Sequence, residues 1–232
     1  MLTIGLIGGM SWESTALYYQ KINQLVREAR GGLHSAQLIL YSVDFAQIEP
    51  LQRAGDWTGA ANLLSQAAQS LERAGADFLV LCTNTMHKVA APIQAAVQIP
   101  LLHIADPTAV AIVAAGHSCV GLLGTRFTME QDFYKQGLAR HGLQVLVQPS
   151  AAQAVVHRVI YEELCVGRIT AASRHAYQAV MEDLVARGAQ AIVLGCTEIT
   201  LLIGQNDASV PLFDTTGLHA QAAAQRAMAT QL

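Results

Sequence analysis

The stretch LERAGADFLVLCTNT at residues 71–85 decides the fold, because a near copy, LVARGAQAIVLGCTE, stands 113 residues later at 184–198. Each copy has the pattern of a helix end, a glycine stop, an apolar strand and a run of small polar residues. The sequence therefore indicates an internal duplication into two equivalent α/β lobes. Two further pairs of short matches occur in the same order: 5–8 with 121–124, and 99–101 with 210–212.

Aliphatic strands alternate with helices along the whole chain. Apolar residues at helical spacing predict helices over 17–29 and 63–74, each followed by glycine. Near-continuous aliphatic strands separated by helices are typical of parallel sheets covered on both faces. The sequence therefore predicts an α/β protein of two lobes, with a ligand cleft between them. The predicted strands are 3–7, 37–43, 78–81, 99–103, 120–123, 143–147 and 191–194.

Composition excludes several classes of protein. With 52% hydrophobic and 13% charged residues among 232, the chain buries a large core and is not disordered. A net charge of -3 without blocks of like charge argues against a nucleic-acid or membrane surface. No apolar run approaches the length of a membrane span, and no basic residue precedes the first apolar run. We expect a cytoplasmic protein with four free thiols.

The polar residues that follow the two repeated strands form a candidate site. Ser, Thr and Asn are common in turns and helix caps, so one such turn alone would indicate only local structure. Two matched copies at strand ends, one with a thiol, favour a ligand site. The residues concerned are Thr83, Asn84 and Thr85 in the first copy, and Cys196, Thr197 and Glu198 in the second.

Cys196 stands where a strand turns into a helix. Backbone N–H groups and the helix dipole stabilise a thiolate there, so we expect a depressed pKa and a thiol that is largely ionised at neutral pH. Such a group suits a nucleophile or a proton-abstracting base. Neither H-E-x-x-H nor C-x-x-C occurs in the sequence, so we expect no metal site.

A glycine-rich turn with Met10 follows the first strand, and its counterpart in the second lobe contains Thr125 and Arg126. The first turn lacks the lysine of a phosphate-binding loop, which argues against a nucleoside triphosphate. Two interpretations stay open for it: a cradle for a carboxylate, or only a tight turn.

The segments IGLIGGMSWEST, SVDF, LCTNTMHK, HIADPT, LLGTRFTMEQDFY and LGCTEI occur in this order. Together they resemble the aspartate/glutamate racemase family, and SWEST with TRFTMEQDFY resembles its L-aspartate/glutamate-specific branch. The resemblance implies two pseudo-symmetric Rossmann-like lobes, a homodimer, and racemisation of an acidic amino acid, L-aspartate or L-glutamate, without a cofactor at an interlobe cleft. It also implies that the chain crosses between lobes, with residues 1–103 and 212–232 in the first lobe and 104–211 in the second.

The family pattern has one cysteine in each polar turn, and each exchanges a proton with one face of the α-carbon. This sequence matches at Cys196, but Thr83 replaces the first cysteine. Cys82 is one residue early, and on an extended strand a one-residue shift directs a side chain to the other face. By family analogy, Cys196 acts on the L form, whereas Thr83 returns a proton less readily because a hydroxyl does not ionise near neutral pH.

A lysine that many family members have within the stretch matching 163–167 is also missing. Other groups must then hold the side-chain carboxylate of the substrate, with Gln52, Arg53 and Arg126 as candidates. The resemblance favours Gln52. The implied substrate-binding set is Met10, Gln52, Asn84, Thr85, Thr125, Thr197 and Glu198, with Thr83 and Cys196 catalytic.

Two other functions compete with a racemase. The first is a one-thiol decarboxylase of a substituted malonate, because such relatives keep only the second-lobe cysteine. The second is an amino-acid-binding protein in which Thr83 marks lost catalysis. The racemase is favoured because an amino-acid substrate, rather than an aryl malonate, is indicated by the retained pairs Asn84-Thr85 and Thr197-Glu198.

Overall fold

The structure is a computed structural model that describes residues 1–229. The chain divides into two compact units, and the first comprises Met1–Ile104 together with residues 219–229. The second unit is Ala105–Leu218. The chain thus returns to the first unit later than the predicted position 212. The reason is that Leu212–Asp214 form a strand that pairs within the sheet of the second unit.

The first unit is built on a parallel sheet of four strands in the order β2-β1-β3-β4. A short 3-10 helix, Thr85–Val89, follows the third strand, and the helix α11, Thr215–Met228, begins in the second unit and ends in the first. The remaining elements are β1 Ile4–Gly8, α1 Trp12–Arg30, β2 Leu38–Ser42, α2 Phe45–Ala54, α3 Trp57–Arg73, β3 Phe78–Leu81, α4 Ala90–Ala95 and β4 Leu101–Leu102.

Alternate residues of the central strands face two separate apolar cores. Leu6 and Val80 pack in one core with α1 and α11, whereas Ile7 and Leu81 pack in the other with α3. Because every residue of β1 and β3 is buried, these strands read as continuous apolar runs in the sequence.

The second unit repeats this arrangement with a parallel sheet in the order β6-β5-β7-β8. Two 3-10 helices, Leu164–Val166 and Gln205–Asp207, lie in its connections. Its other elements are α5 Ala105–Ala114, β5 Cys119–Gly124, α6 Arg126–Glu130, α7 Asp132–Ala139, β6 Gln144–Leu146, α8 Ser150–Glu162, α9 Ala171–Ala186, β7 Ala191–Gly195, α10 Ile199–Leu202 and β8 Leu212–Asp214.

The predicted α/β class with two lobes of parallel sheet is confirmed, and the repeated glycines have a physical cause in the packing. A Cβ atom at Gly5 would lie 2.9 Å from Leu79, and one at the equivalent Gly121 would lie 2.7 Å from Ile192. A side chain at either position would force these neighbours to shift, so glycine allows the close packing seen at both. The two sheets therefore pack against their neighbours in the same way.

Some elements differ in length from their predictions. The helix predicted over 63–74 begins earlier, at Trp57, because the Asp56 side chain accepts a hydrogen bond of 2.8 Å from the Gly59 N–H and caps the helix. The strand predicted over 99–103 is only Leu101–Leu102. None of the helices among residues 1–229 has the length and apolar character needed to cross a membrane.

Candidate active site

The first polar turn follows β3. Cys82 is fully buried in an apolar core, with its Sγ 3.8 Å from the Val80 carbonyl oxygen, and burial raises the pKa of its thiol. Thr83, the next residue, is half-buried, whereas Asn84 and Thr85 are buried. The prediction that Cys82 packs inside is confirmed, which leaves Thr83 as the side chain of this pair outside the core.

The glycine turn lies beside this strand end, because β1 and β3 are adjacent and Ile7 is in register with Leu81. The Gly9 N–H donates to Thr15 Oγ1 at 2.9 Å. With a φ of 95° at Gly9, a Cβ there would lie 2.1 Å from the Val43 carbonyl oxygen. Met10 then packs in the apolar core below the turn. The turn is therefore tight, and Gly9 is needed there because a side chain would collide with the Val43 backbone.

Gln52 lies on α2, and its side chain is buried at 4% exposure. Its Nε2 donates to the Sδ of Met86 at 2.8 Å. Arg53, the other candidate on this helix, has an exposed side chain that pairs with Glu49 at 3.9 Å. Of the two, only Gln52 is buried, and its contact with Met86 places it next to the first polar turn.

The second polar turn follows β7 and contains the thiol. Gly124 and Gly195 are in register on adjacent strands, so Thr125 and Cys196, the residues after them, lie at the same edge of the sheet. The Thr125 side chain caps α6 and pairs with Thr128 Oγ1 at 3.2 Å. The structure thus places Thr125 and Cys196 of the second unit at one sheet edge, as it places the glycine turn and the first polar turn of the first unit.

Cys196 is 9% exposed, and its thiol donates to Glu198 Oε2 at 2.9 Å. The neighbouring Thr197 hydroxyl is 2.8 Å from Thr216 Oγ1 at the start of α11. A thiol in contact with a carboxylate is a proton donor beside a group that can accept the proton. Sequence reasoning assigned Glu198 only to substrate binding, although the Cys-x-Glu spacing after a strand was a signal for this contact.

The expected depressed pKa of Cys196 is wrong. Burial raises the pKa of this thiol well above its ordinary value, and the negative charge and hydrogen bond of Glu198 raise it further. The helix that follows, α10, has only four residues, so its dipole is weak. In the absence of substrate, Cys196 is therefore a protonated thiol at neutral pH.

The other two cysteines lie outside this turn. Cys119 begins β5 and is half-buried, at the strand end opposite Thr125. Cys165 is exposed, near the place of the missing lysine, and the neighbouring Glu163 is hydrogen-bonded to Ser173 at 2.5 Å. Arg126, the third candidate for the substrate carboxylate, directs its backbone N–H to His157 Nδ1 at 3.3 Å.

Three histidines of the first unit, His87, His103 and His219, lie close together behind the first polar turn. The ring centroids of His87 and His103 are 4.6 Å apart, and those of His87 and His219 are 5.7 Å apart. Tyr18 Oη lies 2.8 Å from His219 Nδ1. Within residues 1–229, no three His, Cys, Asp or Glu side chains are arranged to hold a metal ion.

The chain is similar in fold and sequence to proteins described as amino-acid racemases or their homologues. A solved structure from Yersinia pestis, assigned as an Asp/Glu racemase, is 58% identical, with 99% of this chain and 100% of that chain covered and a TM-score of 0.94. An aspartate racemase homologue from Pyrococcus horikoshii OT3 is 35% identical, with 98% and 99% covered and a TM-score of 0.86. The broad specificity amino-acid racemase RacX of Bacillus subtilis (strain 168) is 24% identical over 233 residues, which is 98% of this chain and 99% of RacX.

The two α/β units, each with a polar turn after its third strand in chain order, thus match the architecture of these racemase structures. Residues 7–223 match the family described as Asp/Glu/hydantoin racemase. The chain belongs to this family, and the resemblance stated from its sequence motifs is confirmed.

Proposed function

We propose that this racemase interconverts the enantiomers of an acidic amino acid, aspartate or glutamate, by thiol-based proton transfer without a cofactor. The observation that carries the proposal is the 2.9 Å contact between Cys196 Sγ and Glu198 Oε2 at a sheet edge. The 35% identical homologue from Pyrococcus horikoshii OT3, described as an aspartate racemase homologue, supports the substrate class.

The proposed reaction moves protons among Cys196, Glu198, Thr83, the substrate and water. Glu198 accepts the thiol proton of Cys196, and the resulting thiolate removes the α-proton of the L substrate. The α-carbon then carries a planar carbanion. The Thr83 hydroxyl donates its proton to the opposite face and recovers one from water. Cys196 keeps the α-proton, which can exchange with solvent, and Glu198 releases the proton that it accepted to solvent, so both groups return to their starting state. No electron transfer or leaving group is involved.

The raised pKa of Cys196 supports this chemistry, because the α-proton of an amino acid is only weakly acidic. A thiolate with an ordinary pKa is a weak base toward such a proton, whereas a buried thiolate is a stronger one. A raised pKa also means that little of the Cys196 thiol is ionised at neutral pH. An adjacent proton acceptor can generate the thiolate when it is needed. Glu198 is positioned for this role.

Gln52 is our candidate for the side-chain carboxylate of the substrate. Its amide donates to the sulfur of Met86, and a thioether is a weak hydrogen-bond acceptor. A carboxylate oxygen is a much stronger acceptor, and hydrogen bonds to charged groups are about twice as strong as neutral ones. If the Gln52 amide donates to the substrate carboxylate instead of to the Met86 sulfur, the stronger hydrogen bond favours substrate binding. We propose Met10, Asn84, Thr85, Thr125 and Thr197 as the remaining substrate contacts.

Incubation with each L- and D-amino acid, followed by chiral chromatography, tests the proposed activity. We expect interconversion of aspartate or glutamate. A parallel incubation in deuterated water measures entry of deuterium at the α-position. Release of carbon dioxide from a substituted malonate would indicate a decarboxylase instead. A melting shift with aspartate but no exchange would indicate a binding protein, and either result would refute the proposal.

A further inference from the structure

The buried imidazole of His87 makes two hydrogen bonds that tie the first polar turn to the end of the first unit. His87 Nδ1 lies 2.7 Å from the Thr83 carbonyl oxygen, and the Ile104 N–H donates to His87 Nε2 at 3.2 Å. Ile104 is the residue at which the chain leaves the first unit. The ring is 2% exposed, so water does not compete for these bonds.

These contacts determine the protonation state of the ring. A backbone N–H can only donate, so Nε2 must be without a proton to accept from Ile104. A carbonyl oxygen can only accept, so Nδ1 must carry the proton that it donates to Thr83. His87 is therefore neutral in one defined tautomer. The lowered pKa of this group, caused by burial and by the facing rings of His103 and His219, agrees with a neutral ring.

The equivalent carbonyl in the second unit is held differently. There the Cys196 carbonyl oxygen accepts from the backbone N–H of Ile199 at 3.2 Å, as in an ordinary helical turn. In the first unit a side chain takes this place for Thr83. The carbonyl of Thr83 is thus held by a side chain, whereas that of Cys196 is held by the main chain.

We propose that His87 is a positioning residue for racemisation, which fixes the Thr83 peptide through its Nδ1–H and so directs the Thr83 hydroxyl toward the α-carbon. This inference rests on the proposed function of Thr83. A loosened turn should impair proton delivery by Thr83 while proton removal by Cys196 continues. The diagnostic quantity is therefore the ratio of deuterium exchange in recovered L-aspartate to formation of D-aspartate.

Two substitutions of similar polarity separate the two hydrogen bonds. His87→Asn places an amide N–H where Nδ1 was and keeps the bond to Thr83, whereas His87→Gln places its amide at the Nε2 position and keeps only the bond to Ile104. We expect His87→Gln to raise the ratio about fivefold, the factor for one hydrogen bond of ~1 kcal/mol. His87→Asn should stay near wild type. Tyr18→Phe is the matched control, because it removes a bond of the histidine cluster that does not touch Thr83.

Equal ratios in the asparagine and glutamine variants, or a shift in Tyr18→Phe as large as in His87→Gln, would overturn the inference. A nitrogen-15 NMR spectrum of histidine-labelled protein gives an independent readout, in which we expect His87 as the Nδ1–H tautomer. An Nε2–H or doubly protonated ring would refute it whether or not the protein is active. Wild type without exchange or racemisation would refute the proposed function, and the tautomer would still decide whether His87 holds Thr83.

Discussion

Replacing Glu198 by glutamine distinguishes two roles that its carboxylate can play toward Cys196. Glu198 Oε2 lies 2.9 Å from the thiol sulfur, and its charge is the largest cause after burial of the raised pKa of Cys196. A carboxylate that only raised this pKa would hinder thiolate formation, so its loss would accelerate the reaction. A carboxylate that accepts the thiol proton is required, so its loss would slow the reaction.

The expected size of the effect follows from what glutamine preserves. Its amide oxygen can still accept the S–H hydrogen bond, so the orientation of the thiol is kept, but it cannot take the proton. A positioned acid–base group contributes about 10²–10⁴-fold to rate. We expect Glu198→Gln to lower kcat/KM about 100-fold, or ~2.7 kcal/mol of transition-state free energy. The pKa of Cys196 should fall at the same time, because the neighbouring charge is gone.

Activity and thiolate content should therefore change in opposite directions. Racemisation is measured by chiral chromatography, and thiolate content by the pH dependence of iodoacetamide alkylation at the Cys196 peptide, read by mass spectrometry. Peptide resolution is needed because the exposed Cys165 also reacts. Glu182→Gln, on the exposed face of α9, is the control and should change neither quantity. A faster reaction together with alkylation at lower pH would refute a proton-accepting role for Glu198.

Cys196→Ala should lower kcat/KM by at least about 10³-fold, whereas Cys119→Ala, at the far end of β5, should stay near wild type in the chromatographic assay. In wild type, deuterium should enter recovered L-aspartate faster than D-aspartate forms; Thr83→Cys should increase product formation relative to exchange, and an unchanged ratio in a folded variant would contradict this. Dialysis against a chelator and treatment with hydroxylamine should leave the rate unchanged; loss of activity in either would contradict the cofactor-free reaction. The free energy of unfolding should fall as pH decreases below about 6.5, the ordinary pKa of histidine, because the unfolded chain binds a proton that folded His87, with its lowered pKa, does not. Urea unfolding at pH 7 and pH 5 should show a smaller loss in His87→Asn than in wild type.

The fold could be predicted because its requirements are local and occur twice. Gly75 and Gly188 stand 113 residues apart, have φ values of 94° and 103°, and each ends the helix before a buried strand. The occurrence of glycine at the same place in both copies indicates that the backbone geometry there requires it, because a chance match at both places is less expected. The polar triplets were recognisable because they follow the repeated strands at equivalent positions, although none of their residues is identical.

The chemistry of the site could not be predicted, because it depends on contacts between residues and on burial. A strand-to-helix turn suggested a stabilised thiolate at Cys196, but sequence gives neither its 9% exposure nor its contact with Glu198. The importance of His87 was hidden in the same way. Its partner Ile104 is 17 residues away, and nothing in the spacing predicts that a ring would link it to Thr83.

The differences between the two turns all concern positions that the duplication makes equivalent. Cys196 has a carboxylate two residues later, whereas Thr83 has Thr85 at that place. A carboxylate beside a thiol assists proton removal, while a hydroxyl without such a partner can only deliver a proton that it already holds. Delivery depends on direction more than on basicity, because a proton must be placed on one face of a planar carbon. Under the proposed mechanism, the first unit has no carboxylate beside Thr83 to assist proton transfer. It therefore needs a polar turn of fixed orientation, and the neutral buried imidazole of His87 provides that orientation.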